Sequence, residues 1–188
     1  MIKTSFATLL VLFTVCLCPA SKSFCQTNIA GDSIKSMLIK DWERAKAYTQ
    51  DYMKAMPPGK YSIKATDSVR TFAQQLLHIV QANMFLVSTA TGDKPSNAGP
   101  DLEKSASAQS ADSVMYYVNR GYDFAIDAIK KLSPSSLMQP ITINMGQSFT
   151  ASRLSWLMKA FEHQTHHRGQ TTVYLRLAGV RPPDERLF

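Results

Sequence analysis

Apolar residues recur every three to four positions along most of this chain, and four such runs are long enough to form separate helices. The first runs from Ser33 to about Met56, with Ile34, Met37, Leu38, Trp42, Ala45 and Tyr48 or Tyr52 on one stripe. Pro57-Pro58-Gly59 ends it, because proline lacks the amide donor and glycine tolerates the turn. The second starts between Ser68 and Thr71, where Thr71 and Gln74 have capping-box spacing, and stops at Thr91-Gly92. The third spans about Ala111 to Leu132, with Val114, Tyr117, Val118, Tyr122, Ala125, Ile126 and Ile129 inward. The fourth extends from Ser148 or Thr150 to Leu177, closed by Gly179 and Pro182-Pro183.

The pattern predicts an all-α fold, a four-helix bundle with one lengthy connection. Asp93 to Ser110, rich in Pro, Gly, Ser, Asn and Ala, reads as a surface loop and a candidate lid. Ser133 to Asn144 carries two prolines and brief alternation, which predicts an irregular crossover. No repeat and no long linker divides the chain.

The N-terminal residues stand apart from this pattern. A positive start at Lys3, an apolar run from Phe6 to Leu17, then Pro19 and small residues have the layout of a secretory signal. The run is short for a transmembrane helix. The expected cut follows Cys25, giving a signal peptide over 1–25, a mature domain over 26–188, and a periplasmic or extracellular location. A lipoprotein reading fails because Phe24, Leu17 and Val15, none of them small, precede the three cysteines. Cys16, Cys18 and Cys25 all leave with the signal, so the mature chain has no disulfide and no thiolate nucleophile or ligand. Removing 25 of the 188 residues leaves 163, enough for one hydrophobic core. Lys3 and Lys22 depart and no acid does, so the net charge drops from +7 to +5. The remaining basic residues are scattered, which argues against nucleic acid or a membrane surface as partner.

Three of the four histidines fall within FEHQTHHRGQ, and the fourth, His78, lies in the second helical run. His163 and His167, four residues apart, sit about 40° apart around the helix and one turn along it, so both imidazoles can reach one point. His166 competes with His167 for that partnership. His78 completes a triad only where the second and fourth helices are neighbours. Spacing alone leaves three readings open: packed polar residues, a proton relay, or metal ligands. A zinc-protease motif is absent, since Gln164 stands where HExxH needs its glutamate and Glu162 comes one residue early.

The string HQTHHRGQTTVYLRLAGVRPP resembles the last-helix signature of the DinB-like (DinB/YfiT) family of four-helix-bundle metalloproteins. SVRTFAQQLLHIVQANMFL resembles that family's second helix, and the resemblance reaches nearly all of the mature chain. It implies a metal held by three histidines, here His78, His163 and His167, with His166 beside the site. Zinc or nickel suits nitrogen-rich ligation, and iron or manganese is compatible with it. With no carboxylate at a matching ligand position, such a site keeps the ion's charge and attracts anionic or electron-rich ligands. The implied activity is that of a metal-dependent hydrolase or transferase on a small molecule, with water or a substrate atom activated at the ion. Thiol-dependent transferase chemistry ranks below this for an exported chain. The contrasting reading is a non-catalytic metal-binding or interaction protein of the cell envelope. The family also implies a homodimer.

Around the histidines, Gln170 and Tyr174 follow on the ligand face, with hydrogen bonding within the bundle the plainer role for Gln170 and core packing for Tyr174. Arg168 suits an ion pair with a neighbouring helix, and Gly169 suits a close helix contact. Gln81 and Asn83 are candidate pocket edges, and Trp156 a candidate wall whose default is core.

Overall fold

A computed structural model describes residues 21–95, 101–144 and 146–188, with side chains from Ile29 onward. The apolar run of the expected leader, residues 6–17, lies outside the described residues. The elements are α1 (Ser21–Ala55), α2 (Phe72–Thr91), α3 (Ala111–Lys131), a hairpin of β1 (Pro140–Asn144) and β2 (Ser148–Ser152), and α4 (Arg153–Leu177). Short 3₁₀ turns occupy Pro58–Lys60, Ala106–Ala108 and Pro134–Ser136. No described helix is long and apolar enough to cross a membrane.

Side-chain contacts fix the helix directions. Trp42 meets Phe161, Tyr48 meets Arg168 and Tyr52 meets Thr172, so α1 and α4 run parallel. Glu43 meets Lys130, Lys46 meets Asp123 and Gln50 meets Asn119, so α1 and α3 run antiparallel. Arg153 donates to Ala90 O at 2.7 Å, while Tyr174 donates to Arg70 O at 2.6 Å, so α2 and α4 are antiparallel too. The order is up, down, down, up. The α2–α3 connection joins two parallel helices and must therefore return along the length of the bundle. Gly121 of α3 allows the close approach to α2, since a Cβ there would sit 3.1 Å from Val80 Cγ1.

Burial drives this assembly. Trp42, Phe72, Leu76, Leu77, Ile79, Ile129, Leu157 and Leu175 are fully buried, and Trp42 packs edge-on to Tyr122 and Phe161 at 5.9 and 5.7 Å. Tyr48 and Tyr52 are both buried, whereas Met37, assigned to the same stripe, is half exposed. On α4 the inward face is polar as well as apolar: Gln164, His167, Arg168 and Thr171 are buried between Ala160 and Leu175.

The capping box at Thr71 and Gln74 forms as its spacing predicts. Thr71 Oγ1 accepts from Gln74 N at 3.1 Å, and Gln74 Oε1 accepts from Thr71 N at 2.9 Å. Gly92 closes α2 in the left-handed region with φ of 83°.

Other boundaries differ from expectation. α1 does not begin at Ser33: that hydroxyl donates back to Ile29 O at 2.9 Å, inside a helix already under way. The crossover after α3 ends in a hairpin, with Ile141 opposite Ala151, Thr142 opposite Thr150 and Ile143 opposite Phe149. β-branched residues on both strands favour this pairing. It consumes the residues given to the start of the fourth helix, which begins at Arg153 with Ser152 as its cap. Gly169 makes no close helix contact, because a Cβ there would meet nothing within 4 Å.

Two stability predictions follow from these local arrangements. Thr71→Ala removes the side-chain acceptor of the capping box and lowers stability by about 1 kcal/mol in urea unfolding. Gly169→Ala, at an exposed helix-interior position, raises it by about 0.5–1 kcal/mol in the same measurement.

Candidate metal centre

The antiparallel register of α2 and α4 places His78 level with His163 and His167 of α4. Ring centroids lie 5.1 Å apart for His78–His163, 4.5 Å for His78–His167 and 4.5 Å for His163–His167. One ring nitrogen from each falls within 4.8 Å of the other two, so the group can hold a metal ion. His166 is exposed and accepts from Gln170 Nε2 at 3.1 Å, outside the group.

The second nitrogens show how these rings are set. His78 Nδ1 lies 2.6 Å from Glu103 Oε1, and His167 Nδ1 lies 2.8 Å from Gln75 Oε1. Both partners are acceptors, so each ring carries its proton on Nδ1 and leaves the Nε2 lone pair free. Gln75 is itself oriented: its Nε2 reaches Tyr174 OH at 3.5 Å, and that hydroxyl donates to Arg70 O. His163 Nδ1 is buried without a hydrogen-bond partner. Ring nitrogens brought together from two helices, with Nδ1 engaged on two of the rings, fit a nitrogen-binding divalent ion.

Electrostatics keep His163 and His167 neutral. Burial, and then the positive charge that His78, His163, His166 and Arg70 would place around it, pull the His167 pKa down to about 4. His163 is lowered in the same way, burial again being the largest cause. An incoming cation therefore displaces little proton from these two rings at neutral pH.

A cleft of about 690 Å³ opens beside the group, lined by Arg70, Gln74, Gln75, Glu103, His167 and Gln170 among others. A larger groove of about 800 Å³, between α1 and the terminal Leu187-Phe188, contains no histidine and lies away from this chemistry.

The remaining residues singled out in the sequence divide between cleft and core. Gln170, expected to hydrogen-bond within the bundle, lines the cleft and bonds His166 of its own helix. Tyr174 and Trp156 are core side chains, and Asn83, expected at a pocket edge, is wholly buried. Arg168 is buried too, but no acid among the described residues meets it. Its Nη1 donates to Gln164 Oε1 at 2.8 Å, and its guanidinium lies 4.7 Å from the Tyr48 ring centroid.

Two functional contacts were not anticipated. Gln75 is a polar residue on the inward stripe of α2, flanked by Phe72, Leu76 and Ile79, and that position is its signal. Glu103 follows Leu102, an apolar residue in a polar loop and buried here, which marks an anchor point without revealing its target.

The DinB family model matches residues 26–186. No curated protein matches the chain. Among solved structures, a DinB-like protein from Bacillus cereus is similar with a TM-score of 0.66 and 21% identity, over 79% of this chain and 95% of that one. A DinB-like protein from Bacillus subtilis is similar with a TM-score of 0.57 and 16% identity, over 81% and 96% respectively. At these identities the likeness establishes the shared bundle fold.

The depressed histidines have a measurable consequence in the metal-free protein. An unfolded histidine takes up a proton below about pH 6.5, whereas His167 resists until about 4. The unfolded state thus binds more protons in that window, and stability falls as pH is lowered through it. By pH 5 the loss from His167 amounts to about 2 kcal/mol. Chelator-treated protein should show its melting temperature dropping between pH 6.5 and 5, with a shallower drop in His167→Gln.

Proposed function

The chain belongs to the DinB family, and on that footing we propose that it is an exported metal-dependent hydrolase or transferase holding one divalent ion at His78, His163 and His167. One observation carries the site: three imidazoles from two helices converge with their Nε2 lone pairs free on His78 and His167. The all-imidazole set favours zinc or nickel. When bound, such an ion supplies Lewis-acid polarisation of an oxygen or sulfur atom.

The chain's own residues provide the rest. Glu103 and Gln75 hold two of the rings in place, and burial keeps His163 and His167 unprotonated. The adjoining cleft admits a small molecule to the side of His167, where Gln74 and Gln170 line the wall with neutral amides. The group contains no carboxylate, which suits an anionic or electron-rich substrate atom. With Gln164 buried against Tyr122 and Arg168, no glutamate base of the zinc-protease type is available on α4, so peptide hydrolysis by that route is not proposed.

Metal content of untagged protein, purified without chelators and read by mass spectrometry, tests the site. The expected result is close to one ion per chain, lost in His78→Ala, His163→Ala and His167→Ala and kept in His166→Ala. A metal-free wild type that gains no thermal stability on adding zinc or nickel would sink the metalloenzyme reading. Ester and thioester hydrolysis by the loaded protein, abolished in His167→Ala, then separates an enzyme from a metal-binding scaffold.

A further inference from the structure

Glu103 is where the long α2–α3 connection meets the histidines. Its Oε1 accepts from His78 Nδ1 at 2.6 Å, and its Oε2 accepts from Arg70 Nε at 2.5 Å. Its main-chain oxygen accepts from Gln74 Nε2 at 3.1 Å and from Gln109 Nε2 at 3.3 Å. The Gln109 amide also reaches Leu102 O at 2.9 Å and Ser105 O at 3.1 Å, bracing the turn around Glu103 from within. Leu102 is buried beside it, and the carboxylate is itself mostly sheltered, at 21% exposure. This residue is therefore docked onto α2 by both its side chain and its backbone.

His78 and His167 are held differently. The acceptor on His167 is a neutral amide, Gln75, from α2 itself. The acceptor on His78 is a carboxylate from outside the helices. It is also not a member of the group whose ligand atoms all lie within 4.8 Å. Glu103 engages the ring at Nδ1, which leaves Nε2 open.

We propose that Glu103 is a positioning residue that fixes His78 as its Nδ1–H tautomer, aims Nε2 at the shared point, and makes docking of residues 101–110 and metal binding mutually stabilising. This rests on the three-histidine metal reading. The physical reason lies in the imidazole ring. Drawing electron density from Nε2 makes Nδ1–H a stronger donor, and a carboxylate gains more from a stronger donor than a neutral amide does. Whatever factor the docked segment contributes to ion affinity, the ion must return to docking, because linkage between two equilibria is reciprocal.

The experiment compares wild type, Glu103→Ala and Glu103→Gln. It uses zinc affinity by chelator competition, proton spectra of the cobalt-substituted protein, and hydrogen exchange with and without zinc. Glu103→Ala should weaken zinc binding by about 10–100-fold. Its cobalt spectrum should lose one slowly exchanging, paramagnetically shifted ring N–H, that of His78, and retain that of His167. The amides of Lys104, Ser105 and Ala108, which bond within the segment, should exchange more slowly on adding zinc in wild type but not in Glu103→Ala.

Glu103→Gln keeps an acceptor oxygen of the same shape. It should retain the His78 N–H signal, shifted, with zinc affinity between the other two. That variant carries the test where Glu103→Ala fails to fold. Wild-type zinc affinity in both variants, or zinc-induced protection of residues 101–110 unchanged by either, overturns the proposal while the metal site stands. Absence of zinc binding in wild type overturns the site and this proposal together.

Discussion

The register between α2 and α4 is the constraint on which the site depends. It is pinned at one end by Arg153 on Ala90 O and at the other by Tyr174 on Arg70 O. Between these pins lie the Gln75–His167 bond and the ring contacts of His78 with His163 and His167. A slip of one helical turn moves a side chain by about 5.4 Å. That exceeds the 4.5 Å between the His78 and His167 rings, so the centre exists in one register only. The apolar layers of Phe72, Leu76, Leu157 and Leu175 hold the helices together, while the end bonds choose the alignment.

A second constraint is the polar interior of α4. Gln164 Oε1 accepts from both Tyr122 OH at 2.7 Å and Arg168 Nη1 at 2.8 Å, and Tyr122 OH lies 2.8 Å from Thr49 Oγ1. A buried cation costs several kcal/mol unless its donors are met. Here an amide oxygen and an aromatic face meet Arg168 in place of a carboxylate. This network joins α1, α3 and α4 directly below the turn that carries His167, and it gives the histidine pair a rigid base.

Much of this was legible in the sequence because it is local. The 3.6-residue period, the Thr71–Gln74 box and the breaks at Pro57-Pro58-Gly59 and Gly92 are decided by a few neighbouring residues, and they form as read. His163 and His167 share a face for the same reason. What escaped was non-local or ambiguous. Ser33 has the chemistry of a cap, yet in mid-helix its hydroxyl bonds backward to Ile29. The alternation over residues 148–152 is too short to separate a strand from a helix start, and pairing with Pro140–Asn144 decided it. Glu103 has no periodicity at all. Only the path of the connection brings it to His78, and no spacing encodes that path.

The same geometry orders events in time. His78 and the two histidines of α4 belong to helices separated by the whole of α3, and the bond that orients His167 spans 92 positions of chain. Contacts that distant are closed late, after local helices and their nearest partners have formed. Isolated α4 can aim His163 and one of His166 or His167 at a common point, and isolated α2 has one imidazole, too few to trap an ion against competing ligands. Ion uptake is then a property of the finished bundle rather than a seed for its folding. An ion held by such a centre would then be drawn from the divalent metals free wherever folding is completed.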